Sequence, residues 1–176
     1  SLLEGYVFLS ELLLKADRIE EAAELIEEGT ALAYSGKLEN PLYKMQFEQL
    51  RAKLSESEKD FDMALNHLGK ALKIAQELKN PIQEAFIRES QGLTRFKMQD
   101  VEEGISLLNQ ARDIFLSLEN KYQAGRITSL LESQTKTQEK PTAAELTTTK
   151  PEALEKTVDE EAKPRTEEDE QIQQPQ

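Results

Sequence analysis

One stretch of this chain is written three times over. Arg18-Ile-Glu-Glu-Ala-Ala-Glu-Leu-Ile-Glu-Glu-Gly, Asp60-Phe-Asp-Met-Ala-Leu-Asn-His-Leu-Gly-Lys-Ala and Asp100-Val-Glu-Glu-Gly-Ile-Ser-Leu-Leu-Asn-Gln-Ala align without a gap. Each copy has an apolar second residue (Ile19, Phe61, Val101), a small fifth (Ala22, Ala64, Gly104), a large aliphatic ninth (Ile26, Leu68, Leu108) and a small twelfth (Gly29, Ala71, Ala111). The small fifth residues lie 42 and then 40 positions apart, and the punctuation repeats with them as Asn40-Pro41, Asn80-Pro81 and Asn120-Lys121. A repeat of this length that includes its own turns predicts an array of supersecondary units, each hiding its apolar flank on the next.

Within each copy the apolar positions recur at i, i+3, i+4 and i+7. Phe61, Ala64, Leu65, Leu68, Ala71, Leu72, Ala75 and Leu78 form one helical stripe, and Val101, Ile105, Leu108, Ala111, Ile114, Phe115 and Leu118 form its mate. Further helices are expected between these B helices, over Leu2 to Lys15, Leu42 to Ser57, Ile82 to Met98 and Tyr122 to about Ser133. Their stripes read Leu2, Tyr6, Leu9, Leu13, then Tyr43, Phe47, Leu50, Leu54, then Ile82, Phe86, Leu93. No window alternates in the strand manner, so the expectation is all-α, seven helices alternating A and B. Proline suits a first helical turn and the asparagine before it can cap free amides, so Asn-Pro opens the A helices. Asp17, Asp60 and Asp100 are expected to open the B helices by the same capping chemistry and the helix dipole. Ala22, Ala64 and Gly104 are expected where two helices approach closely.

Composition narrows the chemistry. With no cysteine and the single histidine His67, no thiolate or multi-histidine metal site can be assembled, and no cofactor or metal is expected. The glutamate pairs 20–21, 27–28 and 102–103 flank apolar stripes and read as solvated faces, while His67 reads as a packed or surface histidine; no catalytic residue is assigned. Phosphate-binding glycine motifs are lacking. A formal charge of -12 opposes nucleic acid and anionic membranes as partners. No apolar run approaches the roughly 20 residues that span a bilayer. Absent targeting signals and absent cysteines point to cytoplasm or nucleus.

Composition also breaks near Ser133. All 7 glycines and every aromatic precede it, whereas residues 134–176 hold four of the 6 prolines with only Leu146, Leu154, Val158 and Ile172 as large aliphatics. That segment cannot bury enough apolar surface to offset its ordering entropy, so a helical domain at 1–133 and a disordered acidic tail at 134–176 are expected. Thr157 and Thr166, each followed three places on by an acidic residue, suit an acid-directed kinase; a solubilising tail is the simpler reading.

The run from Asp60 to Ala75 resembles the second helix of a tetratricopeptide repeat, with Gly92, Ala52 and Ser10 at the place where that family's first helix carries its small residue. The resemblance covers about residues 2 to 133, with repeats longer than the family's usual length of roughly 34 residues. Arg88 and Glu48 depart from it, standing where a large apolar residue is usual. The resemblance implies a right-handed solenoid of three hairpins plus a capping helix, whose A helices line a concave groove that grips a peptide or helix of another protein. On that footing Gln46, Gln49, Lys53, Phe86, Glu89 and Lys97 are the expected contact residues of a non-catalytic adaptor or scaffold. A regulatory sensor domain within a larger signalling or transcription-regulating protein is the alternative. The family's clamp for the acidic C-terminus of large chaperones needs asparagine on the A helices, and the asparagines here (40, 66, 80, 109 and 120) all lie elsewhere, so that motif is not the expected partner.

Overall fold

The computed structural model describes residues 1–36 and 40–138. Over them run seven helices: α1 Leu2–Lys15, α2 Ile19–Tyr34, α3 Pro41–Ser57, α4 Phe61–Glu77, α5 Pro81–Lys97, α6 Val101–Ser117 and α7 Lys121–Gln138. No strand occurs among the described residues. The last helix passes Ser133 and ends at Gln138, so the expected domain boundary moves outward. The tail beyond it, with Thr157 and Thr166, lies outside the described residues.

Capping chemistry sets where the helices begin. Asn40 accepts from the Leu42 amide at 3.0 Å, and Asn80 and Asn120 accept from Gln83 and Gln123 at 3.1 Å. Asp60 and Asp100 cap α4 and α6 through the amides of Met63 and Glu103. The first copy differs. Its cap position is Arg18, which makes no capping bond, and Asp17 sits one residue earlier with φ +58°, too far back to cap α2. Arg18 instead bonds Glu21, its Nε donating to Oε1 at 2.6 Å.

The five sequenced turns share one geometry. Asp17, Lys59, Lys79, Gln99 and Glu119 all have φ between +51° and +65°. The next amide closes back on a carbonyl five residues earlier, as in Asp60 to Ser55 at 2.8 Å and Asn120 to Phe115 at 2.9 Å. This is a Schellman closure, usually given to glycine, achieved here with side chains that bear the left-handed strain.

Packing runs from each helix to the next and also from α1 to α3, while α1 and α7 share no packed interface, so the described helices form a stacked array of hairpins. Each core region joins one hairpin to the helix that follows. Leu3, Leu13, Ala22 and Ile26 of the first hairpin receive Phe47 and Leu50 of α3, and Ala64, Leu68 and Ala71 of α4 receive Ile87 of α5. Small residues set the spacing: a Cβ on Gly104 would lie 2.9 Å from the Phe96 ring, and one on Gly92 would lie 3.0 Å from the Gly104 carbonyl. The B-helix stripes pack as expected, with Leu78 and Leu118 exposed at the helix ends. The A-helix stripes do so only in part: Tyr43, Phe47, Leu50 and Leu54 of α3 all join the core, whereas the stripes of α1 and α5 are displaced. α1 buries Leu3, Ser10 and Leu13 and exposes Leu2 and Leu9, while α5 buries Ala85, Ile87, Gly92, Thr94 and Phe96 and exposes Ile82. An A helix is gripped from two sides, by its own B helix and by the preceding hairpin, so a single stripe misplaces its buried face.

Candidate functional site

The A helices α1, α3, α5 and α7 together wall a groove of about 790 Å³. Gln46, Gln49, Lys53, Phe86, Glu89 and Lys97 all line it, so the structure brings every sequence-derived contact residue to one surface. Val7, Glu11, Glu56, Leu93, Arg126 and Gln134 complete much of the wall. The volume is within the roughly 300–1,000 Å³ of ligand sites, but this space is an open trough along several helices, a shape suited to a chain segment.

The groove's charges are used in holding one A helix to the next. Lys53 Nζ of α3 donates to Glu11 of α1 at 3.2 Å. From α5, Lys97 Nζ donates to Glu56 Oε2 of α3 at 2.9 Å, and the Thr94 hydroxyl donates to the other oxygen of the same carboxylate. Arg126 of α7 forks onto Glu89 of α5, with Nη1 to Oε1 at 2.6 Å and Nη2 to Oε2 at 2.5 Å. Glu89 is buried, and its hydrogen bonds hold the Arg126 guanidinium above its already high pKa. This bidentate pair is the firmest rung; Lys53 is exposed, and its pair with Glu11 adds little.

What remains uncommitted is neutral. Phe86 and Leu93 are half-buried on α5 and face the groove, with the Phe86 ring held edge-on to Phe115 at 5.2 Å. Gln46 Oε1 is buried without a hydrogen-bond partner, and Gln49 reaches Gln83 only at 3.5 Å. Glu11, Glu56 and Arg126 escaped the sequence reading, although the repeat spacing held a signal for two of them: Glu11 to Lys53 is 42 residues and Glu56 to Lys97 is 41.

Behind the groove lies a polar cluster of another kind. Glu48 on α3 is buried, accepts the Tyr34 hydroxyl at 2.8 Å from α2, and holds His67 Nδ1 at 2.7 Å from α4. Burial at the hydroxyl, then the bond to Glu48, pushes the Tyr34 pKa up to about 12. His67 is thus a packed histidine, and neither it nor Glu48 lines the groove. The glutamate pairs 20–21, 27–28 and 102–103 are all exposed. Among the described residues no group of acidic or histidine side chains could hold a metal ion, and no helix is long and apolar enough to cross a membrane.

No protein-family model and no curated protein matches the chain. Among solved structures, the chain is similar to the crystal structure of BtubC (BKLC) from P. vanneervenii, at 19% identity and a TM-score of 0.67, over 79% of this chain. The matched region spans 56% of the BtubC chain, and the likeness establishes a shared helical fold.

Proposed function

We propose that this chain is a tetratricopeptide-type array acting as a non-catalytic adaptor or scaffold, and that the groove walled by α1, α3, α5 and α7 holds a segment of another protein. One observation carries the reading: the groove's charged side chains pair with each other across adjacent helices, while the apolar Phe86 and Leu93 face the groove uncommitted to any such pair. A guest that had to break the Glu89–Arg126 fork would strand a buried carboxylate, at a cost of about 3–5 kcal/mol. The guest is therefore an apolar segment, extended or helical, laid against Phe86 and Leu93. An acidic motif would find the lysines already engaged. Binding of this kind depends weakly on salt, because few charges are newly paired.

The test places a photo-crosslinking amino acid at Phe86 in the full chain, and in a second protein at Lys73, which is exposed on α4 and outside the groove. The expected result is a discrete adduct from position 86 only, lost when Leu93→Glu is added. Equal labelling from both positions, or an adduct indifferent to Leu93→Glu, overturns the groove as the binding face.

A further inference from the structure

The outer face of α1 is apolar and bare. Leu2, Phe8, Leu9 and Leu12 are 66%, 69%, 43% and 52% exposed, and with Gly5 and Ala16 they form one continuous face of the helix. The repeat explains what such a face is for. Forty-two residues on, Gly5 and Leu12 correspond to Phe47 and Leu54 of α3, both packed against the first hairpin. On α1 the equivalent positions are exposed, and Leu2 and Leu9, standing where α3 carries Lys44 and Arg51, widen the apolar face beyond the stacking positions. The other end of the array is unlike it: α7 turns Thr128, Ser129 and Glu132 outward.

We infer that α1 pairs with α1 of a second copy of this chain, antiparallel, about a two-fold axis passing near Leu9. Leu2, Gly5, Leu9, Leu12 and Ala16 follow the alternating three- and four-residue spacing of a helix-pair seam. Antiparallel overlay at Leu9 lays Leu12 into the notch at the partner's Gly5, where a Cβ would have nothing within 4 Å, and sets Leu2 beside the partner's Ala16. Charge selects this direction. Glu4 and Lys15, both exposed, flank the same edge of the face at opposite ends of α1. A two-fold antiparallel pair brings that edge against itself reversed, so Glu4, whose Oε2 also takes the Ser1 amino group, meets the partner's Lys15 twice over. A parallel pair would set the charged edge against the Leu2 edge. Among the described residues α7 turns Tyr122 outward but is otherwise polar on that side, and an isologous pair about a two-fold axis closes at two. Glu11, which adjoins the Glu4–Lys15 edge, belongs to the groove wall, so both grooves open on one side of the pair.

Sedimentation of the full chain from low micromolar to several hundred micromolar tests this. The expected result is a reversible monomer–dimer equilibrium. Leu9→Glu and Leu12→Glu should each shift it at least tenfold towards monomer with helical circular dichroism unchanged. Glu4→Lys alone should weaken the dimer, and Glu4→Lys with Lys15→Glu should restore it. A monomer at every concentration, growth beyond the dimer, or a dimer indifferent to Leu9→Glu and to the charge exchange overturns the pairing. The groove reading stands or falls separately, since Leu93 plays no part in this face.

Discussion

His67 Nδ1 lies 2.7 Å from Glu48 Oε2, and both side chains are almost wholly withdrawn from solvent. With Tyr34 on the other carboxylate oxygen, this contact ties α2, α3 and α4, and so two hairpins, through polar bonds behind an otherwise apolar core. Deleting one member strands the other: Glu48→Ala or His67→Ala should lower stability by about 3–5 kcal/mol in urea denaturation, against about 1 kcal/mol for Tyr34→Phe. Replacing Glu48 and His67 together by apolar residues of similar size should recover most of the loss. A double replacement as unstable as the sum of the singles would show that the pair is not coupled.

Glycine substitutions should divide by packing rather than by helix propensity. A Cβ on Gly29 would fall 2.3 Å from the Phe47 ring, so Gly29→Ala should destabilise by about 1–3 kcal/mol despite its better helix propensity. Gly69, inside α4 with open space around it, should gain up to about 1 kcal/mol as alanine. Thermal melts of the two variants displaced in the same direction would contradict this close approach of α2 and α3.

The repeated left-handed turns offer a gain. Lys59→Gly and Gln99→Gly replace side chains held at φ +63° and +65°, and each should stabilise by about 1 kcal/mol. Lys70→Gly, in the interior of α4, should cost about as much. Midpoints of chemical denaturation report both signs.

Acid should weaken the α4–α5–α6 junction. Arg88 donates to Glu84 at 2.8 Å and to Gln110 of α6 at 2.6 Å, and the Arg88 bond, opposed in part by burial, holds the Glu84 carboxyl below its ordinary range. A lowered folded-state pKa contributes stability above the unfolded value, near 4.3, and loses it as pH falls through the folded value. Glu84→Gln should therefore be less stable than the parent at neutral pH and should flatten the decline of stability below about pH 4.3. Parallel curves for parent and variant between neutral pH and pH 3 would rule out this contribution.

Sequence pattern was sufficient to place all seven helices and five of their seven opening caps, Ser1 of α1 and Arg18 of α2 being the two it did not assign, because helix stripes and cap residues act within a few positions of one another. Local reading failed where a partner outside the window decides. Arg18 stands at a cap position that the pattern assigned to the preceding aspartate, and the left-handed turns carried no glycine to announce them. Lys53, Phe86 and Lys97 were expected on one wall because the resemblance gives that wall to the A helices, and all three line the groove. Glu48 was legible only as an anomaly, a charge where bulk was usual. Its meaning came when folding brought Tyr34, 14 positions before it, and His67, 19 positions after it, onto its two oxygens. Hydrophobic spacing along one helix thus settled the repeat and its stacking. Which face of each A helix is buried, which charges cancel and which side chains stay open depended on contacts between helices about 40 residues apart, and only the tertiary structure supplies those.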